Sequence, residues 1–234
     1  MNIKLMPRVE DIDVKDIKNA NVIVIDMLRA TSVIVTALSN GADAVIPVLE
    51  IEEAVEYRKQ YKNSVLGGER KGVKIEGFDF GNSPLEYNTE NISGKILIMT
   101  TSNGTRAIRG SIKASHIYIG SMLNGRAAAA KAADGSDVSI VCAGTLGRFS
   151  LDDFLCAGYI IDELLKIKCY ELDDISFLAH NTYVENSSDV QSFLKNAKHY
   201  RYLESLGFKD DLDYCTKRGI LDIVPQFRNG KIVL

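Results

Sequence analysis

Val22-Ile23-Val24-Ile25-Asp26-Met27-Leu28-Arg29-Ala30-Thr31-Ser32 is the stretch from which the fold is read. An unbroken β-branched run ends on a carboxylate. A turn follows, and then a helix-like segment. Two further stretches share this grammar. One is Ile96-Leu97-Ile98-Met99-Thr100 with Ser102-Asn103-Gly104-Thr105-Arg106, and the other is Val138-Ser139-Ile140-Val141-Cys142 with Gly144-Thr145-Leu146-Gly147-Arg148. Continuous apolar runs of this length are strands covered on both faces. Alternated with helices, they predict an α/β protein: a layered α/β/α arrangement around a largely parallel or mixed central sheet.

Helix ends extend the reading. Thr31 or Ser32 is expected to cap a helix through Leu38, with Gly41 just beyond. Ser150 to Asp153 has the form of a capping box opening a helix to about Lys166, and Ser188 to Gln191 that of a second. A helical C-terminal region is expected over 185–219, broken near Gly207. Asn229-Gly230 predicts a terminal hairpin between Ile223–Phe227 and Lys231–Leu234. The stretch from Gly67 to Tyr87 has no clear period and is expected to be irregular and functional. The whole chain, 1–234, is expected to form one domain.

Composition narrows the class. The 234 residues are 46% hydrophobic and 25% charged, with a net charge of −3. No long basic run exists, which argues against a nucleic-acid partner. The N-terminus lacks an apolar signal core, and no apolar run nears the roughly 18 residues that span a membrane. The four cysteines (Cys142, Cys156, Cys169 and Cys215) include no C-x-x-C pair, so reduced cytoplasmic thiols are expected.

Ligands of open parallel sheets gather at the carboxyl ends of the strands. All three turns lie at such ends, and each carries an arginine: Arg29, Arg106 and Arg148. Turn N–H groups and a guanidinium fork suit a compact anion. The plain alternative is that the hydroxyls cap helices and the arginines face solvent. Asp26, Glu69, Asp79, Asp152 and Asp153 are the candidate carboxylates. Asp26 ends an apolar strand, where a charge needs a partner or a task; an ion pair with Arg29 would be one. Asp153 is also the expected capping-box partner, and Glu69 could pair with Arg70. Cys142 to Arg148 has the Cys-x5-Arg spacing of cysteine phosphatases, a motif short enough to recur by chance. No dinucleotide or P-loop signature is present. His116, His180 and His199 are isolated and read as structural or exposed.

Five ordered segments carry a family resemblance. They are Asp26 to Ser32; Gly68-Glu69-Arg70; Gly77-Phe78-Asp79-Phe80-Gly81-Asn82-Ser83-Pro84; Ser102 to Arg106; and Cys142-Ala143-Gly144 through Phe149-Ser150-Leu151-Asp152-Asp153, continued by Cys156-Ala157-Gly158. Together these resemble the 2-phosphosulfolactate phosphatase family. The resemblance implies a magnesium-dependent hydrolase that releases sulfolactate and phosphate, a step of coenzyme M biosynthesis in methanogens. Combined with the residue reading, it leads to specific expectations. Asp26, Arg29, Arg106 and Asp153 are expected to be catalytic. Thr31, Ser32, Arg70, Asn103, Thr105, Thr145 and Arg148 are expected to bind a small anionic phosphate ester. Asp26, Asp153 and Glu69 are expected to hold Mg2+. A homo-oligomer is compatible with this reading. The rivals are a non-catalytic binder of organic phosphates or sulfonates, and a metal-independent phosphatase using Cys142.

Overall fold

A computed structural model describes residues 1–134 and 137–234. Its strands are β1 (Asn2–Met6), β2 (Asn21–Ile25), β3 (Ala44–Pro47), β4 (Ser64–Arg70), β5 (Val73–Lys74), β6 (Ile96–Thr100), β7 (His116–Gly120), β8 (Val138–Cys142), β9 (Glu171–Leu172), β10 (Gln226–Arg228) and β11 (Lys231–Val233). The helices are α1 (Val14–Ile17), α2 (Ala30–Ser39), α3 (Ile51–Gln60), α4 (Thr89–Ile92), α5 (Gly104–Gly110), α6 (Gly125–Ala132), α7 (Leu151–Ile167), α8 (Asp174–Asn186), α9 (Val190–Leu194), α10 (Lys198–Ser205) and α11 (Lys209–Cys215). Among the described residues, no helix is long and apolar enough to cross a membrane.

One mixed sheet runs in the order β5-β4-β6-β3-β11-β10-β7-β2-β8-β1-β9. The three strands read from the sequence are present as β2, β6 and β8. Every residue of β2 and β8 is buried, as expected of strands covered on both faces. The Asn229-Gly230 hairpin also forms, with both turn residues at positive φ, 50° and 82°. Its strands are shorter than expected: β10 begins at Gln226, after Pro225, and β11 ends at Val233.

That hairpin lies inside the sheet. β11 pairs with β3 at Ile232↔Val45, and β10 pairs with β7 at Gln226↔Tyr118, both antiparallel. Going from β3 through β11 and β10 to β7 thus takes three antiparallel steps. The parallel group β4-β6-β3 therefore runs opposite to the parallel group β7-β2-β8-β1-β9. A flat sheet would send their carboxyl ends to opposite edges. Here Val22 and Val24 of β2, Ile117 and Ile119 of β7, Val45 of β3 and Leu97 and Met99 of β6 share one core with α2 and α5. Both groups thus pack against the same two helices. Residues following β2, β6 and β8 consequently reach one cavity.

Three expectations at element ends change. α2 begins at Ala30 with Arg29 as its N-cap, so Thr31 and Ser32 lie within its first turn. Ser150 is the N-cap of α7 but makes no capping hydrogen bond, so the box with Asp153 does not form. In the C-terminal region Asp189, not Ser188, caps α9 by accepting from Ser192 N. The stretch expected to be irregular also has order: Gly67 to Arg70 complete β4, which turns into β5, and Pro84–Glu86 form a 3-10 helix.

A buried ion pair ties the C-terminal helices to the sheet. The Arg29 guanidinium pairs with Asp211 of α11, and both side chains are almost fully buried. A second Arg29 nitrogen donates to Gly72 O (3.2 Å). The guanidinium carbon lies 3.8 Å from the centre of the Phe208 ring, a cation–π contact. Ser83 Oγ donates to the other Asp211 oxygen (2.6 Å).

Two stability predictions follow from these packing arrangements. Gly158 of α7 faces α8, where an added Cβ would lie 2.1 Å from Ala179 O. Gly158→Ala is expected to lower unfolding free energy by about 1–3 kcal/mol in urea titrations. Asp211→Ala leaves the Arg29 charge buried and unpaired, and a loss of roughly 3–5 kcal/mol is expected in the same measurement.

Candidate active site

The cavity into which these loops converge has a volume of about 840 Å³. Six segments build its walls: Asp26 to Arg29 after β2; Glu69 to Gly72 at the β4–β5 turn; Asn82; Ser102 and Asn103 after β6; Thr145 to Asp152 after β8; and residues at and before α10 including Lys198, His199 and Tyr202. The last segment lies in the C-terminal helical region. Tyr202 donates its hydroxyl to Lys71 O (2.9 Å), which closes α10 against the β4–β5 turn.

Asp26 stands buried at the cavity wall. Burial, the dominant cause, pushes its carboxyl up to about 7. The Ala30 N–H (3.1 Å) and the charge of His199 oppose the rise, while Glu69 and Asp152 add to it. Gly104 leaves its second oxygen room, since a Cβ there would stand 2.8 Å from Asp26 Oδ2. A carboxyl tuned to neutrality inside a cleft is a mark of a functional group.

The other carboxylates divide into two kinds. Asp153, expected to hold metal, accepts from Met27 N (2.8 Å) and Gly144 N (3.0 Å), thereby joining two of the site loops. It is fully buried away from the cavity lining, and burial pushes its carboxyl well up. Glu69 does a similar job at the cavity wall, accepting from Gly72 N (2.7 Å) and Ser102 N (2.8 Å). Asp152 is different: it lines the cavity, buried, with one oxygen accepting from Ser150 Oγ. Asp79 pairs with Arg58 and accepts from Leu66 N, outside the cavity.

Several residues expected to touch substrate are occupied elsewhere. Thr31 Oγ1 donates to Asp26 O (2.9 Å), Ser32 Oγ to Met27 O (2.8 Å) and Thr105 Oγ1 to Thr101 O (3.1 Å). Arg106 pairs with Glu10 at the surface (2.9 Å). Arg70 donates to Leu49 O, Glu69 O and Thr100 Oγ1. Arg29 lines the cavity while held by Asp211. Asn103, Thr145 and Arg148 do line the cavity. Asn103 Oδ1 accepts from Leu146 N (3.0 Å), and Thr145 Oγ1 lies 3.0 Å from Ser150 Oγ.

The structure adds cavity residues that sequence reasoning passed over: Lys71, Asn82, Lys198, His199 and Tyr202. His199, read as structural or exposed, donates Nε2–H to Leu28 O (2.8 Å), because a carbonyl can only accept. Its Nδ1 is thereby the ring nitrogen left for other partners. The signal for Asn82 was its place in the Gly77 to Pro84 motif; for the α10 residues there was none.

Asp26 and Asp152 each retain one oxygen that meets no donor among the described residues. No group of three or more His, Cys, Asp or Glu side chains able to hold a metal occurs among those residues. Such a sparse oxygen set excludes a closed structural zinc site. It fits magnesium, which binds one or two carboxylates and completes its shell with water and phosphate oxygens. Cys142 offers no rival nucleophile: it is buried, absent from the cavity wall, and burial holds its thiol well above its usual range.

The family model described as 2-phosphosulpholactate phosphatase matches residues 6–230. A Clostridium novyi protein named "Probable 2-phosphosulfolactate phosphatase" is 53% identical over 234 residues, 99% of each chain. Proteins of the same name from Clostridium acetobutylicum and Clostridium tetani are 52% and 51% identical. The first alignment covers all of both chains; the second covers 99% of this chain and 100% of the relative. Half-identity from end to end, together with the match to the family model, establishes that the chain belongs to the 2-phosphosulfolactate phosphatase family, a family of phosphoric monoester hydrolases.

Proposed function

We propose that the chain is a magnesium-dependent phosphatase that hydrolyses 2-phosphosulfolactate, or a closely related small phosphorylated hydroxy acid, to the free hydroxy acid and phosphate. The observation that carries this reading is Asp26: a buried carboxyl tuned to about 7 on the wall of a cavity that also presents Asp152, Arg148, Lys71 and Lys198. Relatives that share half its sequence bear the name of that activity. The coenzyme M context and a cytoplasmic location belong to the same proposal.

Asp26 and Asp152 are the residues that would hold Mg2+, which when bound supplies charge neutralisation at phosphoryl oxygens and a more acidic water. This assignment replaces Asp153 and Glu69 with Asp152, because the former pair already spend their oxygens on backbone N–H groups. Asp153 and Glu69 keep the 27, 72, 102 and 144 backbone segments in register around the substrate. Arg148 is the guanidinium available to an anionic oxygen, and Lys71 and Lys198 add positive charge to the walls. Asp26 can exchange a proton at its open oxygen near neutral pH. The non-catalytic binder would need the cations but not the tuned Asp26.

A phosphate-release screen over phosphorylated hydroxy acids, with and without a sulfonate, tests the reading. Release is expected with Mg2+ and its abolition with chelator; saturable binding without release in either condition would leave only the binder. Asp26→Asn should abolish release while the protein stays folded, and near-normal release would defeat the assignment.

The same variant has a pH signature. The unfolded carboxyl titrates near 3.8 and the folded one near 7. The folded state therefore prefers the protonated form. Its stabilising contribution is complete below about pH 4 and is lost as pH rises through 7. In chelator, Asp26→Asn is expected to be more stable than wild type at pH 8, by an amount on the order of a few kcal/mol. The two should converge near pH 4. Thermal melts at both pH values check this. Mg2+ should raise the wild-type melting temperature at pH 8 more than at pH 5, and Asp152→Asn should blunt that rise.

A further inference from the structure

The loop after β8 contains a two-residue hairpin turn. Thr145 N donates to Arg148 O (2.8 Å) and Arg148 N to Thr145 O (3.0 Å). Leu146 and Gly147 between them have φ of 51° and 72°. Turns with two positive φ values favour Asn-Gly, because a left-handed backbone is costly for a residue like leucine. Leu146 is nevertheless held there by donating its N–H to Asn103 Oδ1 (3.0 Å), and it is 73% exposed. Core packing is therefore no reason for a leucine at this position. Backbone strain kept at the wall of a cleft points to a task. Phe149 is 50% exposed and meets Phe154 edge-on, with ring centres 5.1 Å apart. Phe154 belongs to the core cluster that contains Leu28 and Leu203, and Leu151 packs against that cluster. Leu28, Leu146, Phe149, Leu151 and Leu203 all line the cavity. Three of these apolar side chains come from the loop and helix start that also supply Arg148 and Asp152.

The size of the cavity agrees with its lining. Even if each non-hydrogen atom took the roughly 30 Å³ of a liquid water molecule, 2-phosphosulfolactate would fill only about half of the 840 Å³. A sulfonate set against leucine and phenylalanine would lose hydration without gaining a partner. We propose that the site also takes phosphate monoesters of 2-hydroxy acids whose substituent is apolar, an aryl or branched alkyl group seated against Leu146 and Phe149. This rests on the phosphatase reading of the cavity and widens its substrate class. The reaction is unchanged: a water oxygen bonds to phosphorus, the ester P–O bond breaks, and the freed hydroxy-acid oxygen takes a proton from that water.

The test compares wild type, Leu146→Asn and Phe149→Ser on two esters, 2-phospholactate and 2-phospho-3-phenyllactate, by phosphate release in Mg2+. Wild-type kcat/KM is expected to be roughly 10- to 100-fold higher for the phenyl ester, the range for burying an aromatic group. Each substitution should cut that preference by about 3-fold or more. Leu146→Asn should melt no lower than wild type, because asparagine accepts a left-handed backbone, so its lost preference cannot come from unfolding. It decides the matter alone if Phe149→Ser does not fold. Calorimetry with benzylphosphonate and methylphosphonate gives a readout that needs no turnover. Wild type should bind the benzyl compound about 10-fold or more tightly, and the variants should lose most of that difference. Three results would overturn the proposal: a phenyl ester hydrolysed no better than the methyl ester by an enzyme active on 2-phosphosulfolactate, equal affinity for the two phosphonates or binding of neither, or a preference that survives in Leu146→Asn. If no ester is hydrolysed, 2-phosphosulfolactate included, while the benzyl preference depends on Leu146, the catalytic reading fails and the apolar subsite stands.

Discussion

The cavity exists in this form because Arg29 and Asp211 bury their charges against each other. The pair joins the turn after β2 to α11, and through Gly72 and Ser83 it also holds the β4–β5 turn and the 81–84 segment. Two desolvated ions gain little net stability from meeting, since the cost of leaving water offsets most of their attraction. What they provide is position. The guanidinium has a fixed planar set of donors, and its face is covered by Phe208, so the helices that follow the sheet dock in one orientation. Lys198, His199 and Tyr202 reach the cavity from that docked region. The arginine after Asp26 is thus held as a strut between the turn, α11 and the β4–β5 turn while it lines the cavity.

The acidic residues show a comparable division of labour. Asp153 and Glu69 each take two backbone N–H groups from different segments, giving loops far apart in sequence a common centre. These bonds hold irregular backbone that no ladder could hold. Asp26 and Asp152 keep oxygen capacity in reserve. Ser150 Oγ orients Asp152, and Thr145 Oγ1 in turn lies beside Ser150. The hydroxyls of Thr31, Ser32 and Thr105 brace the turns from which the cavity is built.

Long, uniformly apolar runs were legible from sequence because a strand covered on both faces leaves no other choice of residue. So β2, β6 and β8, with the helices after them, could be read directly, and the tight turn at Asn229-Gly230 was equally plain. β4 was not, because Gly67 and Gly68 interrupt its apolar pattern. Gly68 is required there: at φ 151°, a Cβ would meet Thr100 O at 2.0 Å. Within the site, Asp26 announced itself as a charge ending a buried strand. The choice between Asp152 and Asp153 was not legible. Neighbours on a helix point about 100° apart, and which of them faces the cavity depends on how α7 is set against β2. Arg106 and Arg148 occupy equivalent places in their motifs, yet only the second lines the cavity, because Glu10 lies within reach of the first. His199 carried no local sign of its place in the wall, whereas Asn82 was marked only by the motif it sits in.

The central position of the β10–β11 hairpin bears on how the molecule is made. These strands leave the ribosome after the nine others, yet they join the two parallel groups through Ile232↔Val45 and Gln226↔Tyr118. Until they emerge, β3 and β7 have exposed edges in the middle of the future sheet, and open edges invite pairing with other chains. A nascent chain of this design must hold two half-sheets apart around α2 and α5, and the final zipping step is contributed by a short ribbon made late in synthesis.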